Sequence, residues 1–301
     1  MANETTLTSL TELVPAEEIS MAIGEVARSA TVATVLAVGV SLTGMSPTFR
    51  LVRWDDAAVP LSESSDKTEA AAFSETEQLA SESTLSAATV GIFKEPTIEV
   101  LTHQKRDLIT ALLMESAKAM LDQLDEDVLT NLTSATTTID HSNTDLNVDR
   151  FAEADTSLAS GEGPGDVHVA VMHETAYGDM KVSLRNQAGA YGFAQQQQFA
   201  TLLNAKMKGF KGEHEGYIML VTNNVPQYDA NNWVTGLIRR SSGSGEAAAV
   251  NSGLAMGVWQ PMKNELEWNP TTLSYDLVTW SIYGSCLNRQ DSVRELVTSK
   301  T

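Results

Sequence analysis

Residues 103–134 read HQKRDLITALLMESAKAMLDQLDEDVLTNLTS, and the reading of this stretch decides the fold. Leu108, Leu112, Leu113, Ala117, Met120, Leu121, Leu124, Val128 and Leu132 recur every three or four residues, which puts them on one face of an α-helix. Lys105, Arg106, Glu115, Lys118, Asp122 and Glu126 mostly take the other positions, and neither Pro nor Gly interrupts the run. At about 1.5 Å per residue the stretch predicts a rod on the order of 45 Å. Helices of globular proteins average nearer ~11–12 residues. A helix this long is expected to be the backbone of the whole fold.

Upstream, Met1–Leu13 is Thr-rich and polar and reads as an extended arm. Pro15, then Glu17 and Glu18, open a helical pattern over Ala16–Ala27 with Ile19, Ile23 and Val26 at helical spacing. Thr31–Val40 is rich in β-branched residues and fits a strand or a helix. Phe49–Trp54 reads as a strand, and Thr89–Leu101 contains a second β-compatible run. Between them, Asp55–Ser86 is built from Ser, Ala, Thr, Asp and Glu, with Lys67 as its one basic residue. So long a stretch is a functional excursion from the body or a plain surface loop. The flanking strands favour a hairpin-like excursion with an acidic tip.

Downstream, a polar linker over Thr136–Asn147 leads to a helix over Val148–Ser160, and Gly161–Gly165 (GEGPG) breaks the chain. Val167–Met172 reads as a buried strand followed by a helix near Ala176–Leu184. Gly189–Gly192 then forms a turn and Phe199–Met207 is weakly helical. Strands are expected at Tyr217–Thr222 and Trp233–Ile238, the first stopped by Asn223, Asn224 and Pro226. Ala247–Met256 is a short helix or a buried irregular segment. Asn264–Trp268, Tyr275–Tyr283 and Val293–Val297 close the chain as a meander. No repeat at a period of about 20–50 residues is present. The order of elements gives an α+β class.

Composition narrows the function. Hydrophobic residues make up 42% of the 301, enough for a core. The 39 acids against 20 Lys and Arg give a net charge of -19, which disfavours nonspecific nucleic-acid binding by the whole chain and fits many ordinary cytosolic proteins as well. Cys286 is the single cysteine, so no intrachain disulfide and no Cys-based structural zinc site can form. The first twenty residues lack a basic n-region, and the longest apolar stretch, Ala30–Leu42, is broken by polar residues and too short for a bilayer. A soluble chain without a membrane partner is expected.

Motifs for chemistry are incomplete. His168 and His173 lie an odd number of residues apart around a strand, so they face opposite ways. His173–Glu174 starts like a zincin helix, but Tyr177 stands where the second His belongs. Gly209–Gly216 lacks the Gly-Lys-Ser/Thr ending of a phosphate loop, and Ser64-x-x-Lys67 has no partner motif. Nothing local to Cys286 activates it. The reading is therefore of no enzyme, no cofactor and no metal. Arg239–Arg240 and Lys206, Lys208 and Lys211 are the main basic clusters, meeting acidic neighbours or simply solvated.

Arm, excursion, long helix, the strand and helix of 165–180, the strand ending at Pro226 and the closing strands with Tyr283–Gly284 together resemble the major capsid proteins of tailed phages, of Hong Kong 97-type fold. The likeness spans about Thr31–Thr301 and rests on pattern. It implies an N-terminal arm over 1–48, an extended loop over 49–101, and a peripheral domain with the spine helix over 102–164. An axial domain over 165–262 and peripheral-domain strands over 263–301 complete it. It also implies self-assembly into hexamers and pentamers of an icosahedral head in the virion, made in the host cytoplasm and enclosing DNA without reading its sequence. A portal protein, a separate scaffolding protein and a decoration protein are the partners it suggests; the scaffold is separate because few residues precede the body. Trp54, Asp55, Asp56, Glu63, Asp66, Lys67 and Glu69 of the excursion, with Arg239 and Arg240, are the candidate inter-subunit contacts. Some family members join subunits by a Lys–Asn isopeptide bond, but no spacing shows that Lys67 and Asn288 would meet. An encapsulin shell has the same fold and a different cargo. A soluble cytosolic enzyme or ligand-binding protein is the reading from another class, and it requires a well-formed pocket with convergent polar groups.

Overall fold

The computed structural model describes residues 31–55, 79–98, 101, 108–161, 163–187 and 210–300. The rod is present as helix α2, Leu108–Thr130, extended by a 3-10 turn over Asn131–Ser134; the expected first turns at 103–107 lie outside the described residues. Of the predicted stripe, Leu113, Ala117, Met120, Leu121 and Val128 are buried, Leu108, Leu112 and Leu124 are half-buried, and Leu129 is buried beside them. One buried member of that stripe is a carboxylate, Asp125.

Upstream of α2, the segment left open in the sequence is both things in turn: a short helix α1, Ala33–Leu36, then strand β1, Val38–Ser41. Strands β2, Thr48–Asp55, and β3, Leu79–Ser86, form an antiparallel pair, and β4, Ala88–Lys94, follows at once. The returning arm of the excursion is therefore Leu79–Ser86, inside the stretch expected to be tip, and the run beginning at Thr89 belongs to another sheet. LASESTLS has little β propensity of its own. It is held by its partner, with Leu85 opposite Phe49 and Glu82 accepting from Arg50 at 3.1 Å.

Two larger sheets carry the body. A six-stranded one runs β5–β12–β9–β6–β8–β7, comprising β5, Thr138–His141; β6, Val167–Met172; β7, Phe210–His214; β8, Tyr217–Val221; β9, Asn232–Arg240; and β12, Val293–Ser299. Both its faces are covered. Val169, Val171, Val234 and Ile238 pack under α1 and the end of α2. Ala170, Met172, Leu237 and Leu296 pack under α3, Val148–Ser160, and α4, Glu174–Gln187. The α3 helix starts where expected, with the Asn147 side chain accepting from the Arg150 amide at 2.9 Å. A four-stranded sheet runs β1–β10–β11–β4, with β10, Leu254–Asn269, paired along nearly its full length to β11, Ser274–Leu287. A short helix α5, Glu246–Val250, precedes β10.

The expected closing meander divides between these sheets. Its first two strands make the β10–β11 hairpin, while β12 crosses to lie between β5 and β9. Residues 138–160 and 293–299, expected with the peripheral elements, thus pair or pack with strands expected in the axial unit. β12 is buried along its whole length, which the centre of a covered sheet requires and a meander edge does not. The turn expected at 189–192 and the helix at 199–207 lie outside the described residues, as do Met1–Ala30 and the excursion tip. No described helix is long and apolar enough to cross a membrane.

One cost lies in β12. Glu295 is 2% exposed, and its Oε2 accepts from Thr138 Oγ1 at 2.8 Å while its Oε1 has no partner among the described residues. Burial pushes its carboxyl up from the ordinary 4.5, the Thr138 bond partly opposing. The folded chain therefore keeps this proton to higher pH than the unfolded chain, and stability drops as pH rises from 4.5 through the folded value. Glu295→Gln should remove that loss. In urea denaturation the variant's advantage should grow across that interval and then level off; an advantage equal at every pH would contradict it.

Candidate inter-subunit surface

The β2–β3 hairpin leaves the body from a small apolar seat. Leu51 and Leu85, both fully buried, point down onto Val38, Val40 and Leu42 of the β1 segment, Ala248 and Ala249 of α5, and Trp259 of β10. Polar bonds fix the seat. The Arg53 guanidinium donates to Ser81 Oγ at 2.8 Å and to the Asn288 carbonyl, which Ser83 Oγ also reaches at 3.1 Å. Asn288 in turn donates its side-chain amide to Ala249 O at 2.9 Å and Val250 O at 3.0 Å. At Gly284 the strand β11 passes so close to the hairpin that a Cβ would lie 2.1 Å from the Ser86 carbonyl oxygen. The other face of the same hairpin stretch is open: Arg50, Val52, Glu82 and Thr84, which alternate with the seated residues, are exposed. Its arms of eight paired residues each reach on the order of 27 Å.

The four-stranded sheet presents a second feature. Lys94 of β4 bonds Glu115 of α2 at 2.6 Å, and Leu277 of β11 packs on Leu113 and Ala117, so that face lies against the rod. Phe93 and Val278, opposite each other in the register, therefore point away from it. Phe93 is 58% exposed. Trp280 shares this face, with Lys263 Nζ 5.9 Å from its ring centre. Nearby, at the end of the sheet, Ile98 and Leu273 are exposed and joined by a backbone hydrogen bond of 3.0 Å. The result is an apolar surface on an otherwise acidic chain.

Of the residues expected at subunit contacts, Trp54 and Asp55 are the last two pairs of β2, opposite Ala80 and Leu79. Asp56, Glu63, Asp66, Lys67 and Glu69 lie outside the described residues. Arg239 and Arg240 end β9 and turn inward. Arg239 donates to Gly163 O at 3.0 Å; Arg240 donates to the carbonyls of Thr34, at 3.4 Å, and of Val35. Desolvation lowers the Arg240 pKa, with Asp166 pulling it back up. These bonds tie both guanidiniums to their own chain, while Arg239 Nε has no partner among the described residues. The Asn288 amide nitrogen is likewise buried and bonded, so this conformation does not offer it to Lys67.

Phe93 and the Ile98–Leu273 pair were not singled out in the sequence; the one signal is that Phe93 breaks the alternation of Val90 and Ile92 and so falls on the opposite face. Asp125 was missed as well, although a carboxylate on the apolar stripe of α2 is visible. His173 stacks on Trp233 with ring centres 3.8 Å apart, and desolvation lowers its pKa. His168 packs on Tyr217 instead. Among the described residues no group of His, Cys, Asp and Glu could hold a metal. Burial pushes the Cys286 thiol up to about 11, so it is protonated at neutral pH.

Comparison with family models and with curated proteins finds no match. Solved structures do match. The capsid of Ralstonia phage GP4 superposes at a TM-score of 0.62 with 12% identity, covering 84% of this chain and 83% of that one. The capsid of cyanophage P-SCSP1u matches at 0.60, with 12% identity over 91% of this chain and 90% of its own. The chain has the Hong Kong 97-type fold of tailed-phage capsid proteins. A virus-like particle from Pyrococcus furiosus also matches, at 0.56 and 11% identity, over 93% of this chain and 98% of its own.

The seat makes a direct prediction. Gly284→Ala forces β11 and the hairpin base apart and should destabilise the chain by about 1–3 kcal/mol, the usual cost of overpacking. Chemical denaturation measures it, and an unchanged midpoint would contradict the close approach.

Proposed function

We propose that this protein is the major capsid protein of a tailed phage: a structural subunit, not an enzyme, that assembles with copies of itself into an icosahedral head around DNA. The observation that carries this reading is the match to phage capsid structures across most of the chain. The geometry supports it. A two-stranded ribbon is marginal alone in water, and the described part of this one is seated on one face only, through Leu51 and Leu85. A neighbouring subunit supplies the missing cover, and its exposed Phe93 face is the matching apolar surface. Rotational symmetry then repeats one contact around each ring. Residues 56–78 lie over that face of the next subunit, with Trp54 and Asp55 at the edge of the contact.

In this reading the six-stranded unit is the axial domain near the symmetry axis, and α2 with the four-stranded sheet is the peripheral domain. Assembly takes place in the host cytoplasm and is guided by a separate scaffolding protein, with a portal at one vertex and room for a decoration protein outside. The net charge of -19 keeps the wall from adhering to the enclosed DNA. The match to the Pyrococcus particle favours a second reading, an encapsulin-type compartment filled with a cargo protein. The contents of purified particles separate the two: DNA supports the head, and a packaged enzyme supports the compartment.

Negative-stain electron microscopy of the concentrated protein should show rings of five and six, tubes or closed shells. Replacing residues 56–78 by a short Gly-Ser linker should leave the circular dichroism of the body intact and abolish those assemblies. Small uniform particles that persist after the scaffolding protein is added would overturn the proposal.

A further inference from the structure

Between α2 and the inner face of the four-stranded sheet lies an open groove of about 220 Å3, walled by Thr34, Met120, Leu124, Met256, Val258 and Met262. Two hydroxyls on its wall are already bonded: Ser281 Oγ donates to Gln260 O at 3.1 Å, and Tyr283 OH donates to Asp127 at 2.6 Å. Such a lining holds water poorly, so an apolar occupant gains by displacing it. An aliphatic cavity of roughly 150 Å3 takes a benzene-sized group. The 220 Å3 here fits one or two large aliphatic side chains.

The place where the described chain begins indicates the occupant. Thr34 is part of the wall, and Thr31, Val32 and Ala33 are bonded to Asp125, the residue after Leu124 of the same wall. The chain upstream of Thr31 therefore departs from the rim of the groove. We infer that the segment Ala16–Ala27 of the same chain occupies it, with Ile19 and Ile23 as the inserted side chains. These two and Val26 share one helical face, and Glu17, Glu18 and Glu25 take other positions. The link from Ala27 to Thr31 spans at most about 14 Å extended, enough for the segment to turn back into the groove beside its own anchor. Tethering gives it an effective concentration on the order of millimolar, an advantage no segment from another molecule has. The segment also needs the groove, since so short a helix is marginal in water and Gly24 weakens it further.

Two experiments on the purified, unassembled full chain test this, and neither depends on shell formation. Arg28 is the sole basic residue in Met1–Ala30, hence the sole trypsin site there. Cleavage at Arg28 tracks the open population of the segment. The double variant Ile19→Asp/Ile23→Asp should be cut there at least about tenfold faster than wild type, with the spectrum of the body unchanged because both residues lie outside it. In a Cys286→Ser background, a bismaleimide should join Ile23→Cys to Met262→Cys within one chain. Equal cleavage rates, no link, or a link running between two chains would overturn the inference.

Discussion

The Asp125 carboxylate lies fully buried on the apolar stripe of α2, accepting from Thr31 Oγ1 at 2.6 Å and from the amides of Val32 and Ala33 at 2.9 and 2.7 Å. Those amides open α1, so the negative charge meets the positive end of its dipole. Arg240, four residues of helix away, donates to the carbonyls of Thr34 and Val35, so a positive charge approaches the other end. Each charge taken from water alone would be expensive. Held by oriented backbone groups, they pin a segment too short to be helical by itself. That segment joins both sheets and the hairpin seat. Val32, Ala33 and Leu36 join the core under the six-stranded sheet, β1 adds an edge to the four-stranded sheet, and Leu42 supports the hairpin seat.

From that clasp the assembly logic follows. The six-stranded sheet is covered on both faces, and Arg239 and Arg240 bond carbonyls of their own chain. Among the described residues, the outer side of the β2–β3 hairpin and Phe93 are left open to solvent.

The sequence made some of this plain. The α2 rod, the strand at 167–172 with its following helix and the strand at 217–221 follow from local periodicity, because their burial is set by near neighbours in the chain. Sheet membership was hidden. Val293–Val297 reads as a third meander strand, yet pairs with β9 through contacts far apart in sequence that no local pattern encodes. LASESTLS was hidden for the opposite reason, being polar enough to pass for loop until its partner strand is known. Charge misled at Arg239–Arg240, where a basic pair resembling a surface patch serves to bind carbonyls inside the fold. Of the candidate contacts, Asp56, Glu63, Asp66, Lys67 and Glu69 lie outside the described residues, and only the β2 end of the excursion can be followed in the fold.

The most direct test is a cryo-electron microscopy reconstruction of the assembled particle. The account predicts rings in which residues 56–78 of each subunit cross the Phe93–Val278 face of the next, with the clasp around α1 intact in every copy. A particle whose Phe93 face stands open to solvent, with each excursion folded back on its own subunit, would contradict it.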